Sequence, residues 1–418
     1  MAGLLDGIRV LELSSQLAAP AGKLFAELGA EVVVVEPPGG DPSRSYGPYA
    51  DRDESADCSV GWWAFNAGKL GITLDLEDRS DRQRFRLLAL AADVVLEAEP
   101  PGRLADLGIG YDALGAENAR LVWASVTPFG PDGPRSAEPA TDLTLLAAGG
   151  IIWQCGYDDH ELPPVRGAGQ HAYQTASVWA VQGALTALIE RNRSGCGQHV
   201  DVSAHAAVNI TTEQGSYEYL VGKRDVQRQT GRHAAVDPTS RVYARSADQR
   251  WVHTGMPPKL EREYTAMLSW ITELGLRDEF PESGLLELAI EQGGINPETV
   301  GDDPLQTELF RSGREALSFL ASRLPAYDFF AGAQARGLAT SIIYEPEETF
   351  GDPHFRARQY GQHVHYPQVD CAIRYPGPPF RASTAPWRIP RPAPSIGEHN
   401  YQIEELFNER ESARCDDG

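Results

Sequence analysis

The sequence is poor in positive charge. Lysine and arginine total 37 against 59 aspartates and glutamates, a formal net charge of −22. Such a chain offers no broad basic patch, which tells against nucleic-acid and anionic-membrane partners. It also tells against a diffuse electrostatic funnel for a polyanionic ligand. Cysteine is scarce too. Cys58, Cys155, Cys196, Cys371 and Cys415 are scattered and form no CxxC pair, so neither a zinc knuckle nor a redox motif is indicated. Reduced thiols in a cytoplasmic protein are the expectation. No apolar run approaches the ~18 residues of a membrane span. Met1–Leu13 has no basic segment followed by an apolar one, so no signal peptide is expected. GxGxxG is missing from the first strand-to-helix turn, where Ala18-Ala19-Pro20 stands, and there is neither a P-loop nor a GxSxG elbow.

What is present is a repeating α/β pattern. Ile8–Leu13 reads as a buried strand, Ala21–Leu28 as a helix ended by Gly29, and Glu31–Val35 (EVVVV) as a second buried strand. That is a βαβ unit and predicts parallel pairing. Ile72–Leu76, Asp93–Glu97 and Leu121–Val126 continue as strands around the helical stretch Arg82–Ala91. Thr175–Arg191 has the composition of a long buried helix, and His199–Ser203 returns as a strand. The reading is an α/β protein with a Rossmann-like open parallel sheet. Residues 1–221 form the first part of this large domain. Residues 222–337 form a smaller inserted α+β domain, mainly helical after Leu260, and 338–418 return to the large domain. Prolines between Pro367 and Pro394 suggest a strap packed over that domain.

Local motifs alone carry little chemistry. Gly39-Gly40-Asp41-Pro42 could present backbone N–H groups to a phosphate, although a plain turn is the commoner meaning. His363 and His365 alternate on one face of an extended segment with no supporting carboxylate or cysteine, so packing or surface roles are favoured over metal binding. Asp142 opens the run DLTLLAAGG, where a helix N-cap is its default role. Asp158, Asp159, Glu213 and Glu218 fall in predicted loops, where most carboxylates of an acidic protein are solvated.

As an ordered set, however, the motifs resemble the class III CoA-transferases, the family of formyl-CoA transferase, carnitine CoA-transferase and α-methylacyl-CoA racemase. The resemblance rests on Gly7–Leu13 with Ala18–Pro20, Leu28–Glu36, Gly40-Asp41-Pro42 with Arg44, and Asn66–Leu76. It continues through Asp93-Val94-Val95, Ser125–Pro134, Asp142 with Gly149-Gly150, and Ala184–Gln198 running into Val200-Asp201-Val202. Asp352-Pro353, Pro376-Gly377 and Gly397-Glu398-His399 complete it. It implies a Rossmann-like large domain assembled from both chain ends and an interlocked dimer. It also implies covalent catalysis, in which an aspartate attacks an acyl-CoA thioester to give a mixed anhydride and then an aspartyl-CoA thioester.

The chain departs from this pattern where the chemistry sits. The resemblance places the nucleophilic aspartate eighteen or nineteen residues before Arg191, at Tyr173 or Ala172. Between Arg166 and Arg191 the one acid is Glu190, at the far helix end. Ala98 and Glu99 replace an Asn–aromatic pair that contacts CoA in the family, and Asp106 and Pro38 stand where basic residues are usual. Glu99 and Asp106 are expected to repel a polyphosphate. The glycine-rich loop that covers the site in formyl-CoA transferase has no counterpart between Val221 and Ala244, where Gly222 and Gly231 remain. Thr141 replaces the racemase histidine. Gln16, Leu17, Ala18 and Lys69 persist as the expected remnant of the CoA site, and no metal ligands are expected.

The resemblance then implies a structural subunit of a heteromeric enzyme. A paralogous chain carries the aspartate and binds CoA, in a heterodimer or heterotetramer, as in benzylsuccinate CoA-transferase of anaerobic aromatic degradation. Succinyl-CoA is the expected donor and a carboxylic acid, benzylsuccinate among the possibilities, the acceptor. Two alternatives stay open: an active homodimer with a displaced carboxylate, such as Asp158 or Asp159, and a non-enzymatic acyl-CoA-related binding protein.

Overall fold

The protein is described here from a computed structural model covering residues 2–402, except 53, 224, 230–231, 236–241 and 256–257. The chain forms two compact units. The first comprises the described residues within Met1–Ile152, Arg166–Glu213 and Phe350–Gly418. The second comprises those within Trp153–Val165 and Gln214–Thr349. The inserted unit is thus longer at both ends than the expected 222–337 and recruits a separate upstream segment. That segment is tied to it locally: the buried Arg228 guanidinium donates to the carbonyls of His160 and Leu162 at 2.9 and 3.0 Å.

The first unit is built on a six-stranded parallel sheet. Its elements run β1 (Arg9–Leu13), α1 (Ala19–Glu27), β2 (Glu31–Glu36), α2 (Val60–Asn66), β3 (Leu70–Thr73), α3 (Arg79–Ala91) and β4 (Val94–Glu97). They continue with α4 (Arg103–Asp106), α5 (Tyr111–Glu117), β5 (Val122–Thr127), α6 (Asp142–Ala148), α7 (His171–Ser194), β6 (His199–Ser203) and α8 (Ala204–Ile210). The strand order is β3-β2-β1-β4-β5-β6. The chain steps outward from β1 in one direction, then returns to its other side with β4. This reversal is a topological switch point, and such sheets bind ligands outside the carboxyl ends of the strands there.

Both faces of the sheet are covered, which explains the continuous apolar runs of its central strands. Val10, Val32, Val94 and Val122 face one core with α1 and α7. Leu11, Val33, Val95 and Trp123, one residue on, face the other with Phe85 and Leu114. The period of two comes directly from the pleat. α7 lays an alanine stripe, Ala172, Ala176, Ala180, Ala184 and Ala187, into the first core at helical spacing. Small side chains there permit close approach to α1 and β5. Gly195 ends α7 with φ +79°, a conformation that glycine adopts without a Cβ clash. The Arg191 guanidinium anchors the same end, donating to Asp93 Oδ1 at 3.1 Å and to the Arg120 carbonyl at 3.2 Å.

The proline-rich tail is a strap, preceded by a hairpin of Gln362–Tyr366 with Cys371–Tyr375 that carries His363 and His365. Beyond the hairpin, Gly68 N–H donates to the Arg391 carbonyl, and Trp62 Nε1 and Arg44 Nη2 both donate to the Pro394 carbonyl. Arg44 is almost fully buried, stacked on Trp62 at 3.8 Å and forked onto Glu36.

The second unit has a three-stranded antiparallel sheet, Tyr243–Arg245 with Trp251–His253 and Ser341–Ile342, and four helices of nine or more residues between Glu261 and Ala335. Its core gathers Tyr264, Met267, Trp270, Leu317 and Phe329. Gly222 is exposed in this unit, while Gly231 lies outside the described residues. Among the described residues no helix is long and apolar enough to cross a membrane.

Candidate active site

A cleft of about 550 Å³ opens at the switch point of the first unit. The β1 exit supplies Ser14, Ser15, Gln16 and Leu17, and the β2 exit supplies Glu36 and Pro37. Leu74 to Glu77 follow β3, Ala98 and Glu99 follow β4, and Tyr173 projects from the first turn of α7. Hydrogen bonds set the β1 turn: Ser15 Oγ accepts from Ala18 N–H at 3.0 Å and the Ser15 carbonyl from Ala19 N–H at 2.9 Å. Ala18 is therefore drawn into the core and does not line the cleft, while Gln16 and Leu17 do.

In the turn Gly39–Pro42 most backbone donors are already taken. Gly40 N–H donates to the Pro37 carbonyl, Asp41 N–H to Glu36 Oε2 and Ser43 N–H to Asp41 Oδ1, and Pro42 has none to give. The carboxylates that close this turn also make its surroundings negative.

Lys69, expected as a remnant of a CoA site, does not line the cleft. It is fully buried, and its ammonium donates to Glu12 Oε1 at 2.8 Å, Asn66 Oδ1 at 2.9 Å and the Ala19 carbonyl at 3.0 Å. Its three N–H donors are matched by three acceptors beneath α1. The sequence motif around Lys69 is thus a structural one.

Among the described residues one cation lines the cleft: Arg103, at the start of α4. It donates from Nε to Glu99 at 2.9 Å and from Nη2 to Glu77 at 3.0 Å. Glu77 follows β3 and Glu99 follows β4, and these strands are separated in the sheet by β2 and β1. Asp106, one turn further along α4, is exposed and does not line the cleft. Sequence reasoning missed both Arg103 and Glu77. Neither carried a usable signal: Glu99 lies in the loop before α4, where helical i,i+4 pairing does not apply, and Glu77 meets Arg103 only through the fold.

Tyr173 lines the cleft and is half-buried. Burial pushes its hydroxyl above the usual tyrosine pKa, opposed by a hydrogen bond with the Asp142 backbone. It is a neutral phenol at physiological pH, neither a carboxylate nor a strong nucleophile. Ala172 is buried beside it and has no functional group. Asp142 does not cap α6 as its position suggested. Thr141 does so, accepting from Thr144 N–H at 3.3 Å, while Asp142 Oδ1 accepts from Ala172 N–H at 2.8 Å and caps α7. Another carboxylate, Glu97, ends β4 and accepts from the Glu99 N–H at 2.7 Å without lining the cleft. It is buried, with its pKa raised by desolvation against hydrogen bonds from Ser125, Glu99 N–H and Trp123. Asp158 and Asp159 belong to the second unit and line neither its cavity nor this cleft.

A parallel open sheet with a cleft at its switch point defines an α/β ligand-binding protein of the doubly wound class. The chain belongs to CoA-transferase family III, whose sequence model matches residues 5–283 and 289–400. It is 30% identical over 403 residues to the succinyl-CoA:(R)-benzylsuccinate CoA-transferase subunit BbsE of Thauera aromatica, covering 94% of this chain and 92% of that one. It is also 30% identical over 413 residues to succinyl-CoA–D-citramalate CoA-transferase of Chloroflexus aurantiacus, covering 96% and 92%. Among solved structures, a CAIB/BAIF family protein from Brucella suis superposes with a TM-score of 0.78 at 25% identity, covering 97% of this chain and all of that one.

Proposed function

We propose that this chain is the non-catalytic subunit of a heteromeric CoA-transferase, moving CoA from an acyl-CoA such as succinyl-CoA to a carboxylic acid. Benzylsuccinate is the first acceptor to examine, because a relative of 30% identity is a subunit of an enzyme named for it. The observation that carries the reading is Tyr173, a neutral phenol lining the cleft from the first turn of α7.

The chemistry needs a carboxylate. Its oxygen adds to the thioester carbonyl and expels CoA thiolate, leaving a mixed anhydride. The thiolate then attacks the enzyme-side carbonyl of the anhydride, releasing the donor acid and leaving a thioester on the enzyme. A phenol could form only an ester, which is not an anhydride and does not recycle. The other acids near Tyr173 are engaged: Asp142 on the α7 N-terminus and Arg166, Glu99 on Arg103, Asp41 on Ser43 N–H. In this reading an aspartate-bearing paralogue holds CoA and performs both acyl transfers. The present chain supplies the scaffold of an interlocked pair.

Purification of this chain alone and together with such a paralogue tests the reading. The pair is expected to exchange CoA between succinate and the acceptor, and loss of the paralogue's aspartate to abolish turnover. CoA transfer by the isolated chain would refute it.

A further inference from the structure

The cleft holds about 550 Å³, and its one cation among the described residues is shared by two carboxylates from opposite sides of the switch point. We infer that the Glu77–Arg103–Glu99 bridge is a specificity device that keeps polyphosphate ligands, CoA included, out of this chain's cleft. This deepens, and rests on, the reading of the chain as the subunit that does not carry CoA.

The argument is one of donor occupancy and charge. A guanidinium binds phosphate through its fork of N–H donors. In Arg103, Nε faces Glu99 and Nη2 faces Glu77, so two of the nitrogens that would grip a phosphate already hold carboxylates. The bridge carries a net charge of −1, since two carboxylates flank one guanidinium. Asp41 and Asp75 add further acid to the same lining. The backbone N–H groups of the adjacent turn, at Gly40, Asp41 and Ser43, are taken by internal acceptors. A diphosphate entering the cleft therefore meets acids, with the Gly40, Asp41 and Ser43 N–H groups and two nitrogens of Arg103 already bonded. Glu77 and Arg103 are well exposed, and Glu99 less so, which makes this a rim feature and not part of the core. Neutralising the two acids should leave the fold intact. It would change the net charge of the bridge from −1 to +1 and free the guanidinium.

The test is calorimetric titration of the full-length protein, in the assembly in which it is isolated, with CoA, inorganic pyrophosphate and pantetheine. E77Q/E99Q should gain a CoA site absent from the parent protein, or tighten a weak one by about tenfold, the worth of one charge-assisted hydrogen bond to phosphate. Pyrophosphate should show the same gain, pantetheine should show none, and raising the salt concentration should erase it. E77Q/E99Q/R103Q should lose the gain, which separates release of Arg103 from simple removal of acid. Equal CoA affinity in parent and E77Q/E99Q, or a gain that survives R103Q, overturns the inference. The outcomes are separable from those for the subunit reading. Turnover by this chain alone refutes that reading whatever the affinities, while a chain that stays inactive and binds no CoA in any variant overturns only the bridge.

Discussion

Lys69 and Glu12 meet at 2.8 Å in the interior of the first unit, and neither side chain is exposed. Asn66 and the Ala19 carbonyl take the remaining ammonium protons. Burial raises the Glu12 carboxyl to about 7, against the pull of Lys69, so the pair exists only because each member compensates the other. Replacing Lys69 with methionine leaves that carboxyl without its cation. Breaking a buried pair from one side typically costs about 3–5 kcal/mol. Urea denaturation of the Lys69→Met protein should show a loss of that order. CoA affinity of the assembled enzyme should not change, because Lys69 lies outside the cleft.

Gly22 guards the same pair. A methyl group on its Cα would stand 1.6 Å from Glu12 Oε2 and 3.0 Å from Lys69 Nζ. Alanine is otherwise the better helix former, so propensity alone predicts that Gly22→Ala stabilises α1. The expected result is the reverse, a loss of about 1–3 kcal/mol from overpacking, read as a lowered midpoint in thermal or denaturant unfolding.

Glu97 makes stability depend on pH. Its carboxyl lies above the ordinary glutamate value of 4.5 because burial disfavours the charge. The native state therefore holds this proton more tightly than the unfolded chain does. Its contribution is complete below 4.5 and is lost as pH rises through the raised native value. Glu97→Gln removes the titration. The stability of the parent protein relative to this variant should fall across that window and level off above it. A parallel pair of stability–pH curves would refute the assignment.

Tyr173→Phe tests whether this chain takes part in the chemistry. The neutral phenol keeps its ring in the cleft, and the substitution removes one hydroxyl hydrogen-bonded to the Asp142 backbone. The assembled enzyme should retain its turnover to within about fivefold, since a net hydrogen bond is worth only about 1 kcal/mol. A loss of a hundredfold in kcat would make Tyr173 a catalytic residue.

Much of the sheet was legible because its pattern is dense. EVVVV and DVVLE have no polar alternation, and only strands buried on both faces look that way. α7 was anticipated from Thr175, but it begins at His171. Its cap comes from Asp142, thirty residues upstream, and Gln170 enters with φ +54°, an unusual geometry for a non-glycine residue. The second unit's claim on Trp153–Val165 was hidden for the same reason, because Arg228 and His160 meet only in three dimensions. Of the residues singled out from the motif order, Gln16, Leu17 and Tyr173 line the cleft, while Ala18 and Lys69 are buried in the core. A motif records that residues stay together, not whether they serve a ligand or the fold.

The strap has a consequence for synthesis. Arg44 is closed off by the Pro394 carbonyl, 350 positions later in the chain. At ribosomal speeds of about 5–20 residues per second, roughly twenty to seventy seconds separate the emergence of the two groups. During that interval the sheet's leading edge, with Trp62 and the Glu36–Arg44 fork, waits uncovered while the entire second unit is made. The first unit is thus the first begun and the last finished.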